Sequence, residues 1–319
     1  MKLLIAYDGS RCAEAALDDL THAGLPVKGE AMVISVAEVW LPPPSSYEIV
    51  EMAVIAKGPA ALERKYMAGS LAVKDADALA AKAAARFQAN FPKWTVEYKA
   101  VWGSPNWEIF SKANEWNADL IVIGSHGRTA LGRFFLGSIS QWLLNEARCS
   151  VRVARGKIDE PDFPVRLIVG LDGSQNADAA VEQVAARIWP EKSEVRVVVV
   201  DQPLEPTVVG EFIPAVRHSL AEESEHSRNL AAAAAARLRT KGLRAEALVK
   251  IGDPKHQLVK LAEDWRADCI FLGATGLTNR VERFLLGSVA GAVAARAHCS
   301  VEIVRKKRSR GRANGNGNS

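Results

Sequence analysis

The chain has only four cysteines in 319 residues, with no Cys-x-x-Cys pair among them. A disulfide framework is therefore not expected, and a reducing, cytoplasmic setting is. No apolar run approaches the roughly 18 residues that a membrane helix needs. The amino terminus, Met1-Lys2-Leu3-Leu4-Ile5-Ala6-Tyr7-Asp8, lacks the apolar length of a secretory leader and passes into a strand pattern. The six histidines show no ligand spacing, and His218 and His226 stand eight apart on a polar helical stretch, so no metal site is expected. The sequence has no Gly-x4-Gly-Lys-Ser/Thr, which removes the lysine of P-loop phosphoryl transfer. It shows no Ser-His-Asp or Cys-His set at readable spacing. A large charge of one sign is also missing. The net charge is +4, much of it in Arg305-Lys306-Lys307-Arg308-Ser309-Arg310-Gly311-Arg312. Residues 305–319 are too polar and glycine-rich to bury a core, so a disordered, solvated tail is expected rather than a nucleic-acid-binding arm.

What is present is a glycine motif. Gly124-Ser125-His126-Gly127 is followed, after nine residues, by Gly137-Ser138. The apolar run Leu120-Ile121-Val122-Ile123 before it reads as a buried parallel strand. Ile139, Trp142, Leu143 and Ala147 after it read as one buried face of a helix. A strand, a glycine-rich loop and a helix N-terminus make an anion site. The glycines let backbone approach a phosphate, and the first unpaired N–H groups of the helix point at it.

The motif comes twice. Ala118-Asp119-Leu120-Ile121-Val122-Ile123-Gly124 recurs as Ala267-Asp268-Cys269-Ile270-Phe271-Leu272-Gly273, and Arg133 to Ser138 recurs as Arg283 to Ser288. Cys149-Ser150-Val151-Arg152-Val153 recurs as Cys299-Ser300-Val301-Glu302-Ile303, and Asp8-Gly9-Ser10 as Asp172-Gly173-Ser174. A period near 150 residues is too long for a solenoid unit, so each copy should be a domain with its own core. The expected division is a domain over 1–155, a linker over 156–164, a domain over 165–304 and the tail over 305–319.

Within the first copy, strands are expected at Leu3–Ala6, Ala31–Val36, Val96–Val101, Leu120–Ile123 and Val151–Val153. Helices are expected at Ala13–Leu20, within Ala60–Phe91 and at Pro105–Trp116, the last starting at a first-turn proline. Loops are expected at Leu41–Ser46 and Pro203–Pro214, and a second long helix at Ala215–Lys241. The alternation implies an α/β fold, with a five-stranded parallel sheet in each domain and helices on both faces. Ligands of such sheets sit at the carboxyl ends of the strands, which is where Asp8 and Gly124 fall. The closing strands should be sheet edges, and edges pair readily.

In this order and repeated, the Asp-Gly-Ser turn, the Gly-x-Pro helix start, the Gly-x2-Gly-x9-Gly-Ser motif and the Cys-Ser-Val strand resemble the universal stress protein family in its tandem form. The resemblance covers nearly all of residues 1–304. It implies two Rossmann-like domains and, for members with the glycine motif, ATP as ligand, with or without Mg2+. It places Asp8 near the adenosine, Val36 with its backbone at the adenine edge, and Gly124 and Gly127 along ribose and phosphates. Gly137 and Ser138 would hold phosphate oxygens, with Arg128 adding positive charge. The matching second set is Asp172, Val199, Gly273, Gly276, Gly287 and Ser288. That copy departs from the pattern, because ten residues rather than nine separate Gly276 from Gly287, and Leu277 replaces Arg128. The family's habit of dimerising through the last strand implies an internal pseudo-dimer of the two copies, with homodimerisation as a further option.

The reading is thus an ATP-binding stress-response and signalling module without an equipped active site. Its alternatives are a slow ATP-hydrolysing enzyme, for which His126 would be the residue to test, and a nucleotide-free scaffold working through its dimer surface or tail. Asp8 could equally cap a helix, a role it could share with Ser10.

Overall fold

The computed structural model describes residues 1–39, 59–127, 136–155, 164–202, 213–275 and 286–306. The first half runs β1 (Lys2–Ala6), α1 (Arg11–Asp19), a 3-10 turn (Leu20–His22), β2 (Glu30–Ala37), α2 (Pro59–Asn90), β3 (Thr95–Trp102), α3 (Pro105–Trp116), β4 (Leu120–Gly124), α4 (Ser138–Glu146) and β5 (Ser150–Ala154). The second repeats it with β6 (Arg166–Leu171), α5 (Gln175–Ala185), β7 (Glu194–Asp201), α6 (Ile213–Arg239), β8 (Arg244–Ile251), α7 (Pro254–Trp265), β9 (Cys269–Gly273), α8 (Ser288–Arg296) and β10 (Ser300–Val304). The expected loops at Leu41–Ser46 and 203–212, the linker at 156–163 and the tail from 307 lie outside the described residues. Pro214, expected in a loop, instead stands in the first turn of α6, a position where its missing N–H costs nothing.

All ten strands form one sheet in the order β3-β2-β1-β4-β5-β10-β9-β6-β7-β8. Neighbours within each half are parallel, whereas β5 and β10 pair antiparallel, with Val301 opposite Val153, Glu302 opposite Arg152 and Ile303 opposite Val151. The carboxyl ends of the first-half strands therefore lie on one rim of the sheet, and those of the second half on the other.

Alternation along the strands divides the core. Leu3 and Ile5 face α1 and α2, packing on Ala16, Leu17, Ala83 and Phe87. Leu4 and Ile121 face the other side, with Ile109 of α3 and Leu143 of α4. On that second side the core continues unbroken across the seam through Val151, Val153, Val301 and Ile303 to Leu258 and Val293 of the second half. On the first side two separate cores face each other, the other one built on α5 and α6 from Val181, Val184, Ala235 and Leu238. The alanine run Ala231–Ala236 serves this packing, with Ala231, Ala234 and Ala235 buried.

Between those two cores lie charges rather than hydrocarbon. Arg152 is 1 % exposed and Glu302 0 %. The Arg152 guanidinium grips Asp19 with two bonds, Nε to Oδ2 at 2.6 Å and Nη2 to Oδ1 at 3.1 Å, and reaches Glu302 Oε2 at 3.2 Å. Arg187 closes the row on the far side of Glu302 and donates to Ala23 O at 2.8 Å. The burial of Arg152 disfavours its charged form, but the charges of Asp19 and Glu302 outweigh that and raise its pKa well above the ordinary value. A buried ion pair survives only when its members are paired and hydrogen-bonded, and here each charge has a partner of opposite sign.

The seam also needs a glycine. Gly24 has φ +63°, and a Cβ there would lie 2.8 Å from the Trp189 ring of the other half. Gly24→Ala should lower stability by about 2–3 kcal/mol, part from the left-handed backbone and part from displacing the ring. Urea denaturation followed by tryptophan fluorescence measures it, and an unchanged midpoint would contradict this packing.

Candidate functional site

The site begins where β1 ends. Gly9, with φ 75°, turns the chain, and Asp8 Oδ1 accepts from Ser10 N at 2.9 Å. Ser10 Oγ accepts from Ala13 N at 3.1 Å and caps α1. Capping therefore falls to Ser10, while Asp8 holds the turn. Below it Tyr7 donates to Glu14 Oε1 at 2.5 Å, and Arg86 of α2 bridges Glu14 and Asp18. These bonds tie the two helices under the loop. Burial and the Glu14 carboxylate push the Tyr7 phenol above its ordinary pKa, so it stays a neutral donor.

The glycine loop closes onto this turn. A Cβ on Gly124 would stand 2.8 Å from the Cys12 carbonyl carbon and oxygen, so only glycine lets β4 end against the α1 backbone. A Cβ on Gly127 would stand 3.3 Å from Asp8 Oδ2. Gly137 N donates to Ser125 O at 2.8 Å, and Ser140 Oγ to Gly124 O at 2.9 Å. These two bonds seat the start of α4 under the loop. Gly137 is the N-cap of α4 and contributes no side-chain bond, so the first N–H donors of the helix are not satisfied by their own cap residue. Ser138 in the first turn is exposed. Val36 stands opposite Val101, two residues beyond the Ile34 that pairs with Ala6, at the same rim. Asp8, Val36, Gly124, Gly127, Gly137 and Ser138 thus gather at one end of the first half-sheet. Arg128 lies outside the described residues.

Three residues of this site, Cys12, Ser125 and Arg155, were not read as such from the sequence. Ser125 Oγ lies 3.1 Å from His126 Nδ1 and donates to Cys12 Sγ at 3.8 Å. Arg155, just beyond β5, lies close enough to His126 to lower its pKa. Its Nη2 donates to Ala294 O at 2.5 Å in the second half. Among the described residues, His126 Nε2 and Arg155 Nη1 are both buried without a partner. The signal for Arg155 was positional: it follows a strand whose last residue, Ala154, stands opposite Gly124.

In the second half Asp172 Oδ1 accepts from Ser174 N at 3.0 Å, and Ser174 Oγ accepts from Ala177 N at 3.2 Å. A Cβ on Gly273 would meet Asn176 C at 2.6 Å. Gly287 N donates to Ala274 O at 2.7 Å and caps α8 without a side-chain bond. Ser288 is exposed, and Gly276 lies outside the described residues. The loop itself differs from the first half. Thr275 replaces His126 and is held by Asn176 Nδ2 at 2.6 Å and by Ser174 Oγ at 3.3 Å. The register also corrects the match to Val36. Glu30 and Glu194 open β2 and β7 opposite Lys2 and Arg166, so Val36 corresponds to Val200. Val199 is turned to the opposite face, among the α5 and α6 core residues. The unbroken run Val197–Val200 carries no alternation from which its phase could be read.

The description Universal stress protein family matches twice, over residues 1–155 and 165–305. The chain belongs to the universal stress protein family. A family member from Synechocystis is 30 % identical over 149 residues, covering 44 % of this chain and 96 % of the relative. A Staphylococcus aureus protein that carries the family name is 31 % identical over 167 residues, covering 50 % of this chain and 87 % of its own. The crystal structure of a universal stress protein from Archaeoglobus fulgidus covers 96 % of this chain and 98 % of its own, with TM-score 0.59 at 19 % identity. That likeness speaks for the Rossmann-like fold alone. Among the described residues no helix is long and apolar enough to cross a membrane.

Burial first, and the Arg155 charge second, hold the His126 imidazole below its ordinary pKa of 6.5. The folded state therefore favours neutral His126. Its contribution to stability is full above the unfolded pKa and is lost as pH falls through that value toward the lower folded one. An NMR titration should place the His126 midpoint below that of a free histidine, and His126→Gln should flatten the stability profile on the acid side of the free-histidine pKa. A His126 midpoint at or above 6.5 would contradict the assignment.

Proposed function

We propose that the chain is an adenine-nucleotide-binding stress-response module that takes ATP, with or without Mg2+, at the first-half loop. It works in the cytoplasm by binding and conformational signalling rather than by turnover. The observation that carries this reading is the start of α4, whose N-cap Gly137 offers no side-chain bond, seated under Gly124–Gly127, with Asp8 Oδ2 facing Gly127. Helix N–H donors and the macrodipole suit phosphate oxygens, and a carboxylate suits ribose hydroxyls. On this reading Gly137, Ser138 and Gly127 hold phosphates, Asp8 and Gly124 flank the ribose, and the Val36 backbone meets the adenine. Arg128 and Arg155 supply positive charge.

The second-half set, Asp172, Val200, Gly273, Gly276, Gly287 and Ser288, would form the second site. Its Thr275 is already held by Asn176 and Ser174, which favours the first half as the tighter site. The chain then divides into domains over 1–155 and 165–304 joined by 156–164, acting as an internal pseudo-dimer that needs no second copy. A slower second activity, ATP hydrolysis, draws on one observation, the unpartnered His126 Nε2 in the same loop.

Released-nucleotide analysis of purified protein, followed by ATP titration of stripped protein, tests the reading. One tight site per chain is expected. Gly127→Val, which drives a side chain onto Asp8, and Ser138→Ala should weaken it by about 10- to 100-fold, the range of lost hydrogen bonds to a charged group. Two equal sites would make the second loop a full copy. No binding by folded protein would overturn the nucleotide reading and leave the scaffold. Turnover that disappears in His126→Ala with binding intact would establish hydrolysis.

A further inference from the structure

Arg152 and Glu302 occupy the same place in the two copies of the repeat, the x of Cys-Ser-Val-x-Val/Ile and the middle residue of β5 and β10. They also face each other across the seam, as the middle pair of a three-pair antiparallel ladder. The local two-fold of the molecule therefore passes between them. A residue on such an axis meets its own counterpart, so identical halves would set like against like.

The contacts around the axis fall into two kinds. Arg155 N donates to Ser300 Oγ at 2.9 Å, and Arg305 N donates to Ser150 Oγ at 3.2 Å. Arg155 Nη2 reaches Ala294 O, and Arg305 Nη2 reaches Leu144 O, each at 2.5 Å. Each of these arginines thus crosses the seam to the last carbonyls of a helix in the other half, where the helix dipole favours a cation. Such reciprocal contacts would form equally well between two first halves or two second halves. They give affinity without choice.

The second kind has no mirror image. Asp19 binds Arg152 and accepts from Ser300 Oγ at 2.6 Å, whereas its counterpart in α5 is Gln183. Arg187 binds Glu302 and Ala23 O, whereas its counterpart in the first half is Ala23 itself. Arg152 Nη1 also meets Cys269 Sγ at 3.2 Å, at a position that is Leu120 in the first half. The row Asp19, Arg152, Glu302, Arg187 alternates in sign, and it does so only when one half of each kind meets at the axis in this order.

We propose that this row is a pairing code. The β5 edge accepts a strand that brings a buried carboxylate to its central position, as β10 does, and rejects a second copy of β5. The β10 edge likewise rejects a second copy of β10. Pairing two first halves would press two guanidinium groups together in a dry seam, and pairing two second halves would do the same with two carboxylates. Like-charge juxtaposition of this kind is what suppresses wrong partners at interfaces. The same rule closes the seam to related single-domain chains whose central strand residue is apolar or basic.

The test uses the full chain with a protease site placed in the linker, folded first and cleaved afterwards. Light and isotopically heavy preparations are mixed, incubated below the melting temperature and read by native mass spectrometry. Light–heavy pairs report that the halves have exchanged. The wild type should show first–second pairs alone. A levelled variant, Asp19→Asn with Arg152→Met, Arg187→Met and Glu302→Met, removes the charges together and should drift toward a statistical mixture of all three pairs. Glu302→Gln, which keeps the shape, is a second variant and should raise first–first and second–second pairs at least about tenfold over wild type. First–first pairs in exchanged wild type at statistical abundance would overturn the proposal. So would first–second pairs alone in both variants.

Discussion

The antiparallel ladder between β5 and β10 is the constraint on which the rest of this molecule depends. Each half is a parallel sheet whose last strand would otherwise present a row of unpaired backbone groups. Those groups need partners, and the other half supplies them. Once the two strands meet head to tail, alternation assigns each side chain to one face of the seam or the other. Valine and isoleucine side chains from both strands merge on one face into a single core. On the other face the central positions come together, and there the chain has placed Arg152 and Glu302. A continuous apolar layer and a buried ionic row thus lie back to back, separated only by the thickness of the sheet.

The site chemistry rests on close backbone approach. Gly124 and Gly273 end their strands against the first turns of α1 and α5 at distances that exclude a Cβ. That approach lets the loop fold back over the next helix start, held by Gly137 N to Ser125 O and by Gly287 N to Ala274 O. The two halves share this scaffold and differ in what they hang on it. Ser125, His126 and Cys12 in the first half become Ala274, Thr275 and Asn176 in the second. The second set satisfies its own polar groups, while the first leaves His126 Nε2 buried without a partner.

Much of this was legible in the sequence because it follows from local rules. Pro105 with Ser104 before it and Asn117 in the left-handed region after it bound α3 at the expected residues. The alternation of apolar runs with helical faces, read twice, marked out two parallel half-sheets. The Asp-Gly-Ser turn left open whether Asp8 or Ser10 caps α1, and hydrogen bonding resolved it toward Ser10. What stayed hidden depends on tertiary context. The valines of β7 have no phase until Arg166 pairs with Glu194. A lone arginine in a short strand reads as solvent-facing, and nothing local in Val151-Arg152-Val153 announces that Asp19, 133 residues away, will lie beneath it. Arg155 belongs to no motif and was placed by the end of β5 alone.

The reversal of direction at the seam sets the access geometry of the whole protein. Because the carboxyl ends of the two half-sheets open on opposite rims, the Asp8–Gly137 loop and the Asp172–Gly287 loop look out in opposite directions. Among the described residues, the turn at Asp8 and the turn at Asp172 share no rim. The two candidate sites therefore stand at opposite ends of the sheet, with the ionic row of Arg152 and Glu302 midway between them.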